Sequence, residues 1–271
     1  MKNYLILLDL EGVHGVVGEP YKGLEPDCAD YFVATENAVK EINAVVKALF
    51  EEGADNVYVW DNHGSGTNID FSKVDKRAKK AIFNYTPTTR MDFIKDLNLT
   101  ANIFLGYHSM EGSLNGVLAH TYDSGANQYY KLNGKQLGEF EIDSILAAEY
   151  GVPAIFSASD DVALKQMKEF YPSIVTVETK KGLGRNKAIY KDEDLVLKEI
   201  YEGVKKAVNQ PAKPCDFKFP AKLEVRYTRM EWTADYYEKI KNVYKLDVSY
   251  GEDCHVLQAE VKNPFEIKIF F

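Results

Sequence analysis

Cysteine is scarce: Cys28, Cys215 and Cys254 are the only thiols in 271 residues, far apart and with no C-x-x-C pair. That spacing excludes a disulfide framework and a thiolate zinc site as expectations. Blocks of Lys or Arg are missing too, and 33 basic against 41 acidic residues give a formal net charge of -8. A chain of that balance is not expected to track a phosphate backbone, so nucleic acid is excluded as a partner. No apolar stretch approaches the roughly 18 residues of a membrane span, and no basic segment with an apolar run and a cleavage site precedes the first strand. The expectation is a cytoplasmic protein with no membrane contact. No G-x-G-x-x-G follows that strand, which leaves a dinucleotide site unsupported.

What is present is ordinary globular composition, 45% hydrophobic and 27% charged, long enough for a large core and a smaller second unit. Aromatic content of 13%, with 18 tyrosines and 14 phenylalanines, suits a packed core and subunit interfaces.

Strand and helix signals alternate. Met1 to Leu8 reads as a strand buried on both faces, Tyr31 to Glu52 as an amphipathic helix stopped by Gly53, and Val57 to Trp60 as a second strand. A basic helical piece from Lys73 to Ile82, a turn at Thr86-Pro87 and a helix from Arg90 to Leu97 lead to a third strand, Ile103 to Leu105. Val117 to Tyr122 reads as extended, and Gln128 to Leu132 closes on Lys135 to Leu137 through Asn133-Gly134 as a hairpin. Then follow a helix from Glu139 to Tyr150, a strand from Val152 to Ser157, a helix from Val162 to Phe170 capped by Ser159-Asp160-Asp161, a strand from Ile174 to Val177 and a helix from Asp192 to Val208. This alternation predicts an α/β fold: a mostly parallel sheet with helices on both faces.

The stretch Asn209 to Pro214 reads as a linker. Beyond it, a strand from Leu223 to Thr228, a helix from Thr233 to Tyr244 and strands near Val248, from Cys254 to Val261 and from Phe265 to Phe271 predict a smaller α+β unit. The expected domains are residues 1–210, carrying the metal site, and 211–271, with 65–102 able to pack against the second.

Polar residues gather where the strands end. Asp9 and Glu11 are two apart, so in extended chain they point to one side, and two such anions call for a cation between them. His63 follows the second strand and His108 the third. The carboxyl ends of strands in open α/β sheets are where ligands bind. With Glu139 at a helix start, the set is Asp9, Glu11, His63, His108 and Glu139, carboxylates and imidazoles suited to zinc, manganese or cobalt. Five ligands exceed what one tetrahedral ion with an open position needs, so two ions sharing a carboxylate is the economical arrangement. Read alone, Glu139 is also a first-turn carboxylate serving the helix dipole, with Glu141 its rival as ligand.

These residues, with Asp61-Asn62-His63-Gly64-Ser65, Gly106-Tyr107-His108-Ser109, His120-Thr121, Gly138-Glu139, Tyr150-Gly151-Val152-Pro153, Asp160-Asp161 and Glu178-Thr179-Lys180 through Gly184-Arg185, resemble the zinc D-aminopeptidases encoded in bacterial dipeptide-transport operons. The likeness runs over almost the whole chain in order. It implies two zinc ions per subunit, with Asp9 bridging both, Glu11 and His63 completing one site and His108 and Glu139 the other, and a ring-like homodecamer enclosing the active sites. Two departures stand out. Where the family pattern has a cysteine considered as nucleophile, this chain has Ala119, and Asp143-Ser144 takes the place of an Asn-Ala pair.

The reading is a binuclear zinc aminopeptidase acting on short peptides with a free N-terminus, D-residue-containing, through a metal-bridging hydroxide. His120 is either a core histidine bonded to backbone or, as assigned here, the catalytic proton donor to the leaving amine. Lys180, Lys181 and Arg185 form either a substrate-carboxylate fork or a solvated basic loop. The alternatives are a metal-dependent phosphoesterase and a non-catalytic binding protein that keeps the site.

Overall fold

The computed structural model describes residues 1–81 and 89–271. In chain order its main elements are β1 (Asn3–Leu8), α1 (Tyr31–Glu51), β2 (Asn56–Asp61), β3 (Lys79–Ala81), β4 (Ala101–Leu105), β5 (Asn127–Leu132), β6 (Lys135–Leu137), α2 (Glu139–Ala148), β7 (Ala154–Asp160), α3 (Asp161–Phe170), β8 (Val175–Gly184), β9 (Lys187–Tyr190), α4 (Glu193–Val208), β10 (Ala221–Tyr227), α5 (Met230–Asn242), β11 (Ser249–Tyr250) and β12 (Val256–Val261). Seven strands form one sheet in the order β3-β2-β1-β4-β7-β8-β9, parallel except for the β8–β9 hairpin. The expected α/β architecture is therefore present.

Every residue of β1 is buried, and its two faces feed different cores. Tyr4, Ile6 and Leu8 pack with α1 and α4, whose inward stripes include Ile42, Val45, Val46 and Leu49, and Val196, Ile200 and Val204. Leu5 and Leu7 point the other way, into a core shared with α2, α3 and the second sheet. Because side chains alternate along a strand, Asp9 and Glu11 continue the Leu5–Leu7 side, toward α2.

The second sheet is antiparallel, β11-β12-β10-β5-β6, and joins chain from both sides of residue 210. Asn133 and Gly134, at φ 51° and 81°, supply the left-handed turn that the expected β5–β6 hairpin needs. Residues of α5, β10 and β12 share one core with Met91, Phe93 and Ile94, and Lys268 reaches back to the Arg90 carbonyl at 3.1 Å.

Four local expectations are corrected. Lys73 to Lys80 is no helix: Phe71–Lys73 is a single 3-10 turn capped by Asp70, and Lys79–Ala81 is the edge strand β3. The region from Arg90 contains a 3-10 turn, Asp92–Asp96, rather than an α-helix. Val117 to Tyr122 is a chain of turns, with Leu118 and Tyr122 both at positive φ. Phe265 to Phe270 lies in a 3-10 helix because Asn263 caps it and Pro264 fits its first turn, where no N–H is needed. Ile82 and the Thr86-Pro87 turn lie outside the described residues.

Candidate metal centre

Strands β1, β2 and β3 are laid down outward on one side of the sheet, and β4, β7 and β8 on the other. The order reverses between β1 and β4, which opens a crevice beyond their carboxyl ends. Chain crossing there must be thin. Gly106, at φ 71°, passes so close to β1 that a Cβ would stand 2.0 Å from the Asp9 carbonyl oxygen. The Gly12 N–H closes the crossing with a 2.6 Å bond to the Gly106 carbonyl.

All five sequence-assigned ligands meet at this crevice. Asp9, Glu11 and His63 form one group, with His63 Nδ1 2.9 Å from Asp9 Oδ1 and 3.1 Å from Glu11 Oε2. Asp9, His108 and Glu139 form a second, with His108 Nε2 3.5 Å from Asp9 Oδ2 and 3.3 Å from Glu139 Oε1. In each group the donor atoms lie within 4.8 Å of one another, and Asp9 belongs to both. A third grouping, Glu11, His108 and His120, overlaps them.

Backbone carbonyls decide how the imidazoles are turned. A carbonyl only accepts, so the ring nitrogen facing it carries the hydrogen. His63 Nε2–H donates to Leu24 O (3.1 Å), leaving Nδ1 toward the carboxylates. His108 Nδ1–H donates to Ser109 O (3.0 Å), and its Nε2, buried and with no hydrogen-bond partner, faces Asp9 and Glu139. An orphaned buried nitrogen aimed at two carboxylates fits a metal ligand whose outer N–H is fixed by a second group.

The electrostatics agree. Burial, then the adjacent Glu11 charge, push the Asp9 carboxyl up to about 7. For Glu11 burial is outweighed by His63 and by the hydrogen bonds of His63 and Asp9, holding it well below the usual carboxylate range. Burial opposes charge on His63, yet Glu11 and Asp9 raise it to about 12; on His108, Glu139 and Asp9 do the same, to about 10. Glu139, despite burial, is drawn to about 2 by His108. Clustered anions of this kind are stable only with positive charge among them, which protons or a divalent cation supply.

His120 stands beside this cluster. Its ring stacks on His108 at 3.8 Å and 15°, and its Nε2 is 3.8 Å from Glu139 Oε1. Nδ1–H donates to Leu118 O (2.8 Å), so Nε2 is a free acceptor, and burial followed by the His108 charge lowers its pKa. Glu141, the rival to Glu139, instead caps α2 by accepting the Gly138 N–H at 2.8 Å. His14 bonds the Lys191 carbonyl, and His255 lies by the Tyr227 carbonyl in the second unit.

Asp9, Glu11, His63 and Glu139 open into a cavity of about 760 Å³, walled also by Tyr122, Asp123, Arg185, Tyr236 and Phe271. Arg90 and Asn62, also in its wall, belong to a network invisible in the sequence. Arg90 forks onto Asp143, Nε to Oδ1 at 2.8 Å and Nη2 to Oδ2 at 2.7 Å, and Nη1 donates to Asn62 Oδ1 at 2.9 Å. Tyr107 OH donates to Asp143 Oδ2 at 2.9 Å and accepts from Asn62 Nδ2 at 2.8 Å. The extra anion at 143 is thus neutralised within the core rather than presented to the ligands.

Lys180 is no part of a solvated loop. It lies in β8, fully buried, with Nζ donating to the carbonyls of Glu11, Val13 (2.8 Å) and Val16 (2.7 Å), and so pins the segment that carries Glu11. Arg185, by contrast, is exposed in the cavity wall.

The chain is similar to known D-aminopeptidases. A D-aminopeptidase from Bacillus subtilis (strain 168) is 26% identical over 186 residues, 69% of this chain and 66%, just under two thirds, of that protein. The solved structure of the Zn-dependent D-aminopeptidase DppA from Bacillus subtilis, a self-compartmentalizing protease, matches the fold with a TM-score of 0.86 at 20% identity, over 100% of this chain and 95% of that one. The Peptidase_M55 family model, D-aminopeptidase, matches residues 1–252, and the chain belongs to that family.

Proposed function

We propose that this chain is a binuclear zinc aminopeptidase acting on short peptides with a free N-terminus and D-configured residues. Family membership makes it a metal-dependent hydrolase of the peptidase class. The finer reading rests on one observation above the rest: Asp9 is shared by two three-ligand groups whose histidines are each locked by a backbone carbonyl. Asp9, Glu11 and His63 would hold one ion, and Asp9, His108 and Glu139 the other. Bound zinc supplies a Lewis acid for the scissile carbonyl and acidifies water to a pKa of about 7.

The chain's own groups do the rest. His120 Nε2, unprotonated and free to accept, takes a proton from the attacking water and returns it to the leaving amine. Asp123 and Glu25 in the cavity wall favour a substrate ammonium. Ala119 offers no thiol, and its carbonyl serves Arg185 instead.

Residues 1–210 carry every candidate ligand, and 211–271 add Tyr236 and Phe271 to the cavity wall, the division of labour we assign to the two units. We extend to this chain the homo-oligomeric state, with a decameric ring as the specific form; Tyr21, Phe32 and Ile189, large and exposed, are surfaces such an assembly would cover. No helix among the described residues is long and apolar enough to cross a membrane, and we place the enzyme in the cytoplasm.

The test is elemental analysis of the purified protein together with hydrolysis of D-Ala and L-Ala para-nitroanilides before and after chelation. Two zinc ions per chain and chelator-sensitive release of D-Ala are expected. Full metal occupancy without turnover would leave a binding protein, and no metal uptake at all would make the cluster structural.

A further inference from the structure

We propose that Arg185 is the subsite for the substrate's C-terminal carboxylate, so that a peptide with a free C-terminal acid is preferred to one whose C-terminus is blocked. This rests on the aminopeptidase reading above and names its substrate class.

Three long cations line the cavity, and two are already neutralised. Lys22 pairs with Asp27 at 2.9 Å and Glu19 at 3.6 Å. Arg90 is buried against Asp143. Arg185 alone has no acidic partner among the described residues. Its Nη1 donates to Ala119 O at 2.7 Å, while its own carbonyl accepts the Leu118 N–H at 2.8 Å. The first bond ties the guanidinium to the turn that carries His120, the second ties the two backbones, and the Nε and Nη2 donors are left open for a planar, two-oxygen acceptor.

The rest of the wall restricts where a carboxylate can go. Glu25 and Asp123 face this cavity outside the ligand cluster, and with Lys22 and Arg90 already paired, Arg185 is the lining cation left to take a substrate carboxylate. A zwitterionic substrate is thereby oriented, ammonium toward the acids and carboxylate toward the arginine. Arg185 holds residue 119, and its neighbour His120 reaches Glu139, which ties the guanidinium to the turn beside the ligand cluster.

The experiment uses the zinc-loaded full chain with D-Ala-D-Ala and its C-terminal amide, measuring both kcat/KM and, by calorimetry, binding. Wild type should prefer the free acid on the order of 10- to 100-fold, mostly in KM, as expected for a charged, hydrogen-bonded contact. In Arg185→Met that ratio should collapse toward one, and Arg185→Lys should restore part of it. Hydrolysis of acid and amide at equal efficiency by wild type overturns the carboxylate subsite and leaves the aminopeptidase standing. An equal loss on both substrates in Arg185→Met also overturns it, making the residue a support for the His120 turn. Preferential binding of the acid without turnover of either supports the subsite and removes the aminopeptidase. Neither binding nor turnover removes both.

Discussion

Replacing Arg90 with methionine isolates the buried network at the cavity wall. The substitution keeps most of the side-chain volume but leaves Asp143, which has no exposed side-chain surface, without its cation. Removing one partner of a buried ion pair costs about 3–5 kcal/mol. Asp143 keeps the Tyr107 hydroxyl as a donor at 2.9 Å, which argues for the lower end. A loss of about 3 kcal/mol corresponds to a fall in Tm of roughly 6–12 °C for a chain of this size class. In Arg90→Met/Asp143→Leu both charges are gone, and the residual cost is that of the Asn62 oxygen that loses its donor and the Tyr107 hydroxyl that loses its acceptor, about 1–3 kcal/mol each. The double variant should therefore be clearly more stable than the sum of the single Arg90→Met and Asp143→Leu losses. Urea denaturation of the four proteins at one fixed zinc concentration measures this coupling. Additivity within about 0.5 kcal/mol would show that the fork is not an energetic unit and refute the argument.

Asp9→Asn should abolish binding of both ions whereas His63→Ala should lose one, and elemental analysis showing equal zinc content in the two variants would contradict Asp9 as the shared ligand. Glu41 is buried, and burial raises its pKa to about 7 despite the His14 N–H it accepts. An acid raised in the folded state favours folding while protonated, so this contribution is complete below about pH 4.5 and lost as pH climbs through 7, about 3 kcal/mol in all. Glu41→Gln should flatten that fall, and parallel stability-versus-pH curves for variant and wild type would exclude it. Lys180→Met removes three donors to the Glu11 segment, and should lower stability by about 3 kcal/mol and weaken zinc binding together. Zinc affinity equal to wild type, read by competition with a chelating dye, would show that Lys180 supports the fold without positioning Glu11.

What the sequence makes legible here is what depends on neighbours in the chain. Asp9 and Glu11 can be placed on one side of one strand end because side-chain alternation is local, and His63 and His108 can be placed beside them because parallel strands present their carboxyl ends together. Glu139 lacks such a local signature; only the family likeness separates it from a dipole-serving carboxylate and from Glu141, which turns out to be the cap. Elements fail to read where tertiary contacts override propensity. Phe265 to Phe270 is rich in strand-forming residues, yet the Asn263-Pro264 start and burial of Ile267 and Phe270 in the second core make it a 3-10 helix. Least legible are charges whose partners are distant in sequence. Lys180 sits in a run of polar residues beside Lys181 and reads as part of a substrate-carboxylate fork or a solvated loop, but its three acceptors lie more than 160 positions away. Arg90 reads as the start of a helix, while its acceptor Asp143 is 53 residues on. In both cases the buried cation has partners already placed by the strand order: Lys180 meets carbonyls of the segment after β1 because β8 runs past that crevice, and Arg90 meets Asp143 because α2 packs on the odd side of β1. A buried charge is tolerable only where acceptors are preorganised. The residues that hold the ligand-bearing segments in place therefore become recognisable only once the sheet order is known, whereas the ligands themselves are already marked by the strand ends.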